Sequence, residues 1–277
     1  MVRNIIPLNR PEPDGKEETD AVWEAMGLLT VADFAAVERK SLAARRVMWS
    51  GLAACLVLGV LSVYALQRPD VYTSGIGETR RVALADGSHV TLNTGSRLEV
   101  RLSKHRRAVT LSRGEAFFEV AKTPDHAPFD VMAGRAHIVV TGTKFNVLRQ
   151  AGATDIDLLE GHINVDSRGQ NAAHLSAGQA VHVDGQGRLG PLGTARTAYV
   201  DGWLHGRVSF TATRLDQAVA EMNRYSPLRL KIADPALADM KVDGDFNAGD
   251  TQGFARALNA LHAVSVRQEG QTLVLGG

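Results

Sequence analysis

The chain has 277 residues, with 31 Lys plus Arg set against 30 Asp plus Glu, and a formal net charge of +1. A protein that grips nucleic acid through its phosphates is normally clearly basic, so this balance argues against direct nucleic-acid binding. The only cysteine, Cys55, excludes a disulfide scaffold, so any large folded part must hold itself together by packing.

Residues 1–46 hold seven Lys/Arg and eight Asp/Glu and are too few to bury a sizeable core. Residues 1–18, with Pro7, Pro11, Pro13 and Gly15, read as disordered. Asp20 is placed to cap a short helix, and Thr30 with Asp33 to start a second. Together these helices carry an apolar stripe of Val22, Trp23, Met26, Leu29, Phe34 and Val37. The stripe serves either as a docking face for a partner or as the contact between the two helices.

Residues 47–66, bounded by Val47 and Leu66, contain no charge. At about 1.5 Å per residue such a helix covers roughly 30 Å, the thickness of a bilayer's hydrocarbon core. Arg39, Lys40, Arg45 and Arg46 precede the run and only Arg68 follows closely. The positive-inside rule then places residues 1–46 in the cytoplasm and the bulk of the chain outside. The run starts too late and is too long for a cleaved signal peptide. Leu52-Ala53-Ala54-Cys55 imitates a lipoprotein box, but the eleven residues after Cys55 stay apolar, which favours a span over acylation.

Residues 67–77 read as a linker. The pattern then becomes two-residue alternation: Val82/Leu84, Val90/Leu92, Leu98/Val100/Leu102 and Val109/Leu111, with Asp86-Gly87 as a hairpin signal. Leu-x-x-Gly recurs irregularly at Leu84, Leu111, Leu158 and Leu175. Residues 78–184 are therefore predicted as one all-β unit of many short, hairpin-linked strands, a twisted sandwich or a solenoid-like stack. Residues 185–199 read as a second linker.

Residues 200–277 read as a small α+β domain. Strands are predicted around Val208/Phe210, Leu228/Leu230/Ile232, Val242/Phe246, Val264/Val266 and Leu273/Leu275. One helix, capped by Thr213, runs over Leu215, Ala218, Val219 and Met222. Another, capped by Asp250, runs over Phe254, Ala257, Leu258 and Leu261.

Signals for substrate chemistry are weak, so no turnover, cofactor or metal is expected. Nine histidines include no HxxxH pair. Residues 185–190 spell GxGxxG, but Pro191 and Gly193 follow where a dinucleotide site needs a helix. Glu115 and Glu119, on one strand, would stand ~13 Å apart, too far for a glycosidase pair. Gly142-Thr143 is the exception: a Thr hydroxyl after Gly can attack the preceding carbonyl in a self-splitting acyl shift, or the pair is simply a turn.

Four blocks of the β region, in order, resemble the FecR domain. They are 77–93, with Leu84-Ala85-Asp86-Gly87-Ser88; 109–120, with Gly114-Glu115-Ala116-Phe117-Phe118-Glu119; Gly142-Thr143-Lys144-Phe145-Asn146-Val147; and Leu159-Glu160-Gly161-His162-Ile163-Asn164-Val165. The tail, through 203–210, Arg224-Tyr225, Ile232-Ala233-Asp234 and Gly244-Asp245-Phe246, is similar to the family's C-terminal domain. That domain in turn resembles the signalling domain of TonB-dependent transducers and the short N-terminal domain of secretins.

The resemblance implies a single-pass inner-membrane regulator, an anti-sigma factor of cell-surface signalling. Its implied partners are an extracytoplasmic-function sigma factor on one side and the signalling domain of a TonB-dependent outer-membrane receptor on the other. It also implies a link to iron or siderophore uptake, action by envelope proteases, and in some members self-cleavage at the Gly-Thr that matches Gly142-Thr143. The chain departs from the family in its first 46 residues, where Trp23 is the only tryptophan. A rival reading is a membrane-anchored periplasmic module that binds glycan or assembles a secretion apparatus, without a sigma partner.

Overall fold

The computed structural model describes residues 55–57, 59, 69–103, 106–124, 127–167 and 171–277. The chain divides into a unit of residues 1–67 and a unit of residues 68–277. Of the first, residues 55–57 and 59 are helical. The predicted helices of 1–46 and most of the 47–66 span lie outside the described residues. Among the described residues, no helix is long and apolar enough to cross a membrane.

The second unit is mainly β, and half of the described residues lie in strands. Thirteen strands form one sheet whose main path runs β11-β10-β7-β6-β5-β8-β9-β12-β13. Its pivot is β5 (Arg106–Glu119). The first half of β5 pairs antiparallel with β4 (Arg97–Ser103) and parallel with β6 (Phe129–Ala133). The second half pairs antiparallel with β3 (His89–Leu92) and β8 (Lys144–Gln150). A register shift opposite Arg97/Leu98 lets β5 change partners midway, as a bulge bends a strand.

The first wing is extended by β7 (Ala136–Val140), β10 (His162–Ser167) and β11 (Asn171–Ser176), and the second by β9 (Ala153–Glu160) and β12 (Gln179–Val183). Both wings contribute to one apolar core, in which Phe118 stacks on Phe145 at 4.9 Å beside Leu111, Phe129, Ile138, Ile156 and Leu158. The predicted alternation is present in β6 and β7, where every second residue is buried, and in β4, where Leu98 and Val100 are buried and Leu102 is half-buried. In β5 it fails after Gly114: Glu115, Ala116, Phe117 and Phe118 are all buried. β8 and β9 lose it at the same level. Continuous burial of a strand means both faces are covered.

The cover is the C-terminal part. Here α1 (Thr197–Leu204) is followed by β14 (Arg207–Arg214), α2 (Leu215–Met222) and β15 (Arg229–Ile232). Next come β16 (Lys241–Asn247), α3 (Thr251–His262), β17 (Val266–Glu269) and β18 (Thr272–Leu275). β14 pairs with β16, and β15-β18-β17 form a second small sheet in which β15 and β18 are parallel. The helices bury Leu215, Ala218, Val219, Met222, Phe254, Ala255 and Leu258 against a core that includes a Phe210–Phe246–Phe254 triad.

Several local expectations need correction. Segment 67–77, read as a linker, contains β1 (Asp70–Thr73), paired antiparallel with β4. Segment 185–199 contains β13 (Gly193–Thr194) and the start of α1. Thr213 does not cap α2: the helix starts after Arg214 without a side-chain cap, and Thr213 Oγ1 accepts from Thr211 N instead. Asp250 does cap α3, accepting from Gly253 N at 2.8 Å. Leu261, however, is 74% exposed because it falls beyond the last turn that faces the core.

Leu215 and Leu258 are both buried. Truncating a buried Leu to Ala costs about 2–5 kcal/mol, and a carboxylate there adds the burden of an unpaired buried charge. Leu215→Asp or Leu258→Asp is therefore expected to unfold the C-terminal part, seen as loss of helical circular dichroism. Retention of the full signal with a wild-type melting temperature would show that these helix faces are wrongly assigned.

Candidate functional site

Facing away from the core, the second wing presents a row of cross-strand neighbours: Thr91, Phe117, Asn146, Asp157 and Ala180. Glu115 stands two residues before Phe117 on the same face. Alternation puts these residues where solvent would be, yet Glu115, Asn146 and Asp157 are fully buried. Buried carboxylates need charged and hydrogen-bonding partners, and the C-terminal part supplies them.

Glu115 Oε1 accepts from Asn146 Nδ2 at 2.9 Å. Its Oε2 accepts from Asn93 Nδ2 at 2.8 Å and from Arg224 Nη2 at 2.6 Å. The Tyr199 hydroxyl, on α1, lies 3.1 Å from Glu115 Oε2 and 3.2 Å from Glu221 Oε1. It accepts from Arg224 Nη1 at 2.7 Å, and Nη1 also reaches both Glu221 oxygens at 2.8 and 3.0 Å. The second amide proton of Asn93 goes to the Tyr225 hydroxyl at 2.8 Å. One carboxylate on β5 thus collects donors from the loop after β3, from β8, from α1 and from the segment after α2.

Asp157 on β9 makes a second, parallel connection. It accepts from Arg196 N, Nε and Nη2 at 2.9, 3.2 and 2.8 Å, and the Arg196 guanidinium lies 5.0 Å over the Tyr199 ring. Between the two ion pairs, Phe117 packs with Val200 and Trp203 of α1, flanked by Leu159 and Leu204. The arrangement is an apolar patch bracketed by two buried carboxylate–arginine pairs.

Charge states follow from the burial. Burial works against the Arg224 cation, but Glu115 and Glu221 outweigh it and raise its affinity for its proton. Arg196 is likewise disfavoured by burial, and the hydrogen bond and charge of Asp157 more than compensate. Burial first, then Glu115 and Glu221, push the Tyr199 phenol well above the usual tyrosine range, against the pull of Arg224. Burial and Glu221 push Tyr225 up as well. Both arginines are thus held as cations and both phenols as neutral hydroxyls.

The sequence-predicted sites lie elsewhere. Val22, Trp23, Met26, Leu29, Phe34 and Val37, and the span ends Val47 and Leu66, fall outside the described residues. Gly142-Thr143 sits between β7 and β8, with Gly142 at φ 151° and the stem of Lys122 packed against its Cα. The Thr143 carbonyl accepts from Val120 N at 3.0 Å, and its buried hydroxyl has no hydrogen-bond partner among the described residues. The GxGxxG stretch is a loop in which the Asp184 carboxylate accepts from Gln186 N and Arg188 N, both at 2.9 Å. Glu115 and Glu119 do not meet: Glu119 pairs with Arg81 at 2.9 Å. Sequence reasoning missed the contact of Glu115 with Arg224 and Tyr199, since nothing local links residues so far apart in the chain.

A long folded sheet is thus locked to an α+β tail by two carboxylate–arginine pairs. Residues 70–164 match the family model for FecR protein, a stretch that takes in most of the blocks whose sequence resembles that domain. No curated protein matches the chain. The fold is similar to that of a candidate anti-sigma factor from Parabacteroides distasonis ATCC 8503, in crystal structures at 2.50 and 1.65 Å resolution. Each has a TM-score of 0.63 and 23% identity, and the matches cover 75% and 74% of this chain and 98% of that one.

Two outcomes are expected. Arg224→Met leaves Glu115 buried without a countercharge, a change that typically costs about 3–5 kcal/mol, and equilibrium denaturation should show a loss of that size. The raised phenols favour the fold fully below the ordinary tyrosine value of about 10, and that contribution is lost as pH rises through their folded values. In an alkaline titration, tyrosinate absorbance from Tyr199 and Tyr225 should therefore appear together with the circular-dichroism change of unfolding. Their ionisation near pH 10 with the fold intact would contradict the burial of both rings.

Proposed function

We propose that this protein is a regulator of a sigma factor that relays a signal through its FecR domain. The observation that carries the reading is the FecR match over residues 70–164, in a unit that shares its fold with a candidate anti-sigma factor. In this reading, residues 1–46 hold an extracytoplasmic-function sigma factor through Val22, Trp23, Met26, Leu29, Phe34 and Val37. Residues 47–66 cross the inner membrane, and the β domain and tail lie in the periplasm.

The tail meets the signalling domain of a TonB-dependent outer-membrane receptor, and the regulated genes serve iron or siderophore uptake. Two features support the tail as the receiving surface. Among the described residues, β17 is an edge strand with one free side. Between it and α3 lies a cavity of about 480 Å³ lined by Ala255, Arg256, Asn259, Val266, Gln268 and Leu273. An edge strand beside a groove can take an added strand, with backbone hydrogen bonds for affinity and the groove for side chains.

The protein works by binding and release, with no substrate turned over. A single self-cleavage at Gly142-Thr143 belongs to the same reading, supported by the unpartnered Thr143 hydroxyl and the left-handed φ of Gly142. Thr143 Oγ1 would attack the Gly142 carbonyl carbon, the Gly142–Thr143 C–N bond would break, and the hydroxyl proton would pass to the leaving amine. Water would then hydrolyse the ester to a Gly142 carboxylate and a free Thr143 hydroxyl.

Co-expression of the full chain with the sigma factor encoded beside it should give a stable complex on pull-down. A Trp23→Ala, Phe34→Ala double variant should lose it. Absence of binding by the wild type would remove sigma regulation. In the same preparations, Thr143→Val should abolish any fragment that begins at Thr143. Persistence of that fragment would exclude the hydroxyl as nucleophile.

A further inference from the structure

The network that holds the tail also holds the first strand after the apolar run. β1 is a four-residue edge strand with a single partner, β4, and its residues are largely exposed. So short an edge ladder is weak by itself. The residues just after it are fastened far more firmly: apart from two bonds between Gly75 and Glu78, their hydrogen bonds go to the turn 93–96. Ser74 N donates to Ser96 O at 3.1 Å, and Ser74 Oγ accepts from Ser96 N at 3.0 Å while donating to Asn93 O. Gly95 N donates to Gly75 O at 2.9 Å. Gly77 N donates to Thr94 Oγ1 at 2.9 Å.

The same turn grips the tail. Thr94 Oγ1, having accepted from Gly77, donates its own proton to the Arg224 carbonyl at 2.8 Å. Its neighbour Asn93 bridges Glu115 and the Tyr225 hydroxyl, both at 2.8 Å. Gly77, at φ 75°, approaches the Tyr225 carbonyl so closely that a Cβ there would sit 2.8 Å from that oxygen. Ser74, Asn93, Thr94, Ser96 and Tyr225 are all buried. The Thr94 hydroxyl, itself buried, therefore has one bond toward the strap and one toward the tail.

We propose that docking of the tail determines whether residues 70–78 are held in the sheet, so that displacing the tail at Arg224 and Tyr225 releases β1 as a strap. A partner acting on the tail would thereby loosen the stretch of chain that leads back to the apolar run. The relay reading gives this coupling its purpose. The coupling itself is read from the contacts, and it is tested without any partner.

The test is hydrogen–deuterium exchange on the full chain, following peptides that cover 70–78, 93–96, 197–204 and the core strands β6 to β9. Thr94→Val removes both bonds of the hydroxyl at nearly constant volume and leaves the Glu115–Arg224 pair in place. It should speed exchange across 70–78 by at least tenfold, with β6 to β9 at wild-type protection. Arg224→Met should speed exchange at 197–204 and at 70–78 together. The proposal is overturned if Thr94→Val leaves 70–78 at the wild-type rate, or if Arg224→Met opens 197–204 while 70–78 stays protected. If Arg224→Met unfolds the whole unit, the Thr94→Val result alone decides. A sigma factor that fails to bind would sink the relay but would not alter these exchange rates.

Discussion

A carboxylate placed on the wrong side of a β-sheet governs this molecule. Glu115 points away from the core of its own sheet and is nevertheless fully buried. An ionised carboxylate cannot be left in such a place alone, because the loss of water costs several kcal/mol per ion before any partner is found. Among the described residues, β8 and the loop after β3 supply two amide donors, Asn146 and Asn93, but the sheet gives no cation to this carboxylate. The cation is Arg224, from the other end of the chain. Glu115 is therefore satisfied only when the tail is docked, and the position of the tail is written into the sheet by that requirement.

The energetic roles around it divide cleanly. Phe117, Val200 and Trp203 provide apolar burial, which is non-directional and accounts for most of the attraction. The pairs Glu115–Arg224 and Asp157–Arg196 add little net affinity beyond what an apolar surface would give, since desolvation offsets much of their attraction. What they add is register, because sliding the tail by one residue would strand two buried charges. The interface also carries two unpartnered polar atoms, Trp203 Nε1 and Asn146 Oδ1. A seam with that content is held less tightly than the aromatic core behind it, and a partner can open it without melting the sheet.

Much of the fold was legible because the strands obey period two. The Asp86-Gly87 hairpin, the Asp250 cap and the apolar faces of α2 and α3 follow from local rules, and the structure has them. What was illegible shares one cause. A polar residue at an outward position reads as solvated, and Glu115, Asn146 and Asp157 sit at outward positions in alternating strands. Only a tail packed across them, with partners 39 to 109 residues away, turns those positions into an interior, and no local pattern reports that. The two segments read as linkers fail for the same reason. β1 and β13 are edge strands of four and two residues, too short to show a period, and their pairing is set by the neighbour they meet.

These features together explain why the centre of the molecule is polar. A wholly apolar seam between sheet and tail would hold as firmly and would tolerate small slips. It would not report to the turn 93–96, because apolar contacts do not specify which atom meets which. Hydrogen bonds do: Asn93 and Thr94 each spend one bond on the tail, while Asn93 spends another on the sheet and Thr94 another on the strap behind β1. Two adjacent side chains thus make tail, sheet and first strand interdependent, at the cost of burying five polar residues in one turn and its neighbours. A scaffold under selection for stability alone would gain by replacing such a cluster with well-packed aliphatics. Its presence at the one place where three parts of the chain converge is what a molecule needs if movement at one end is to be felt at the other.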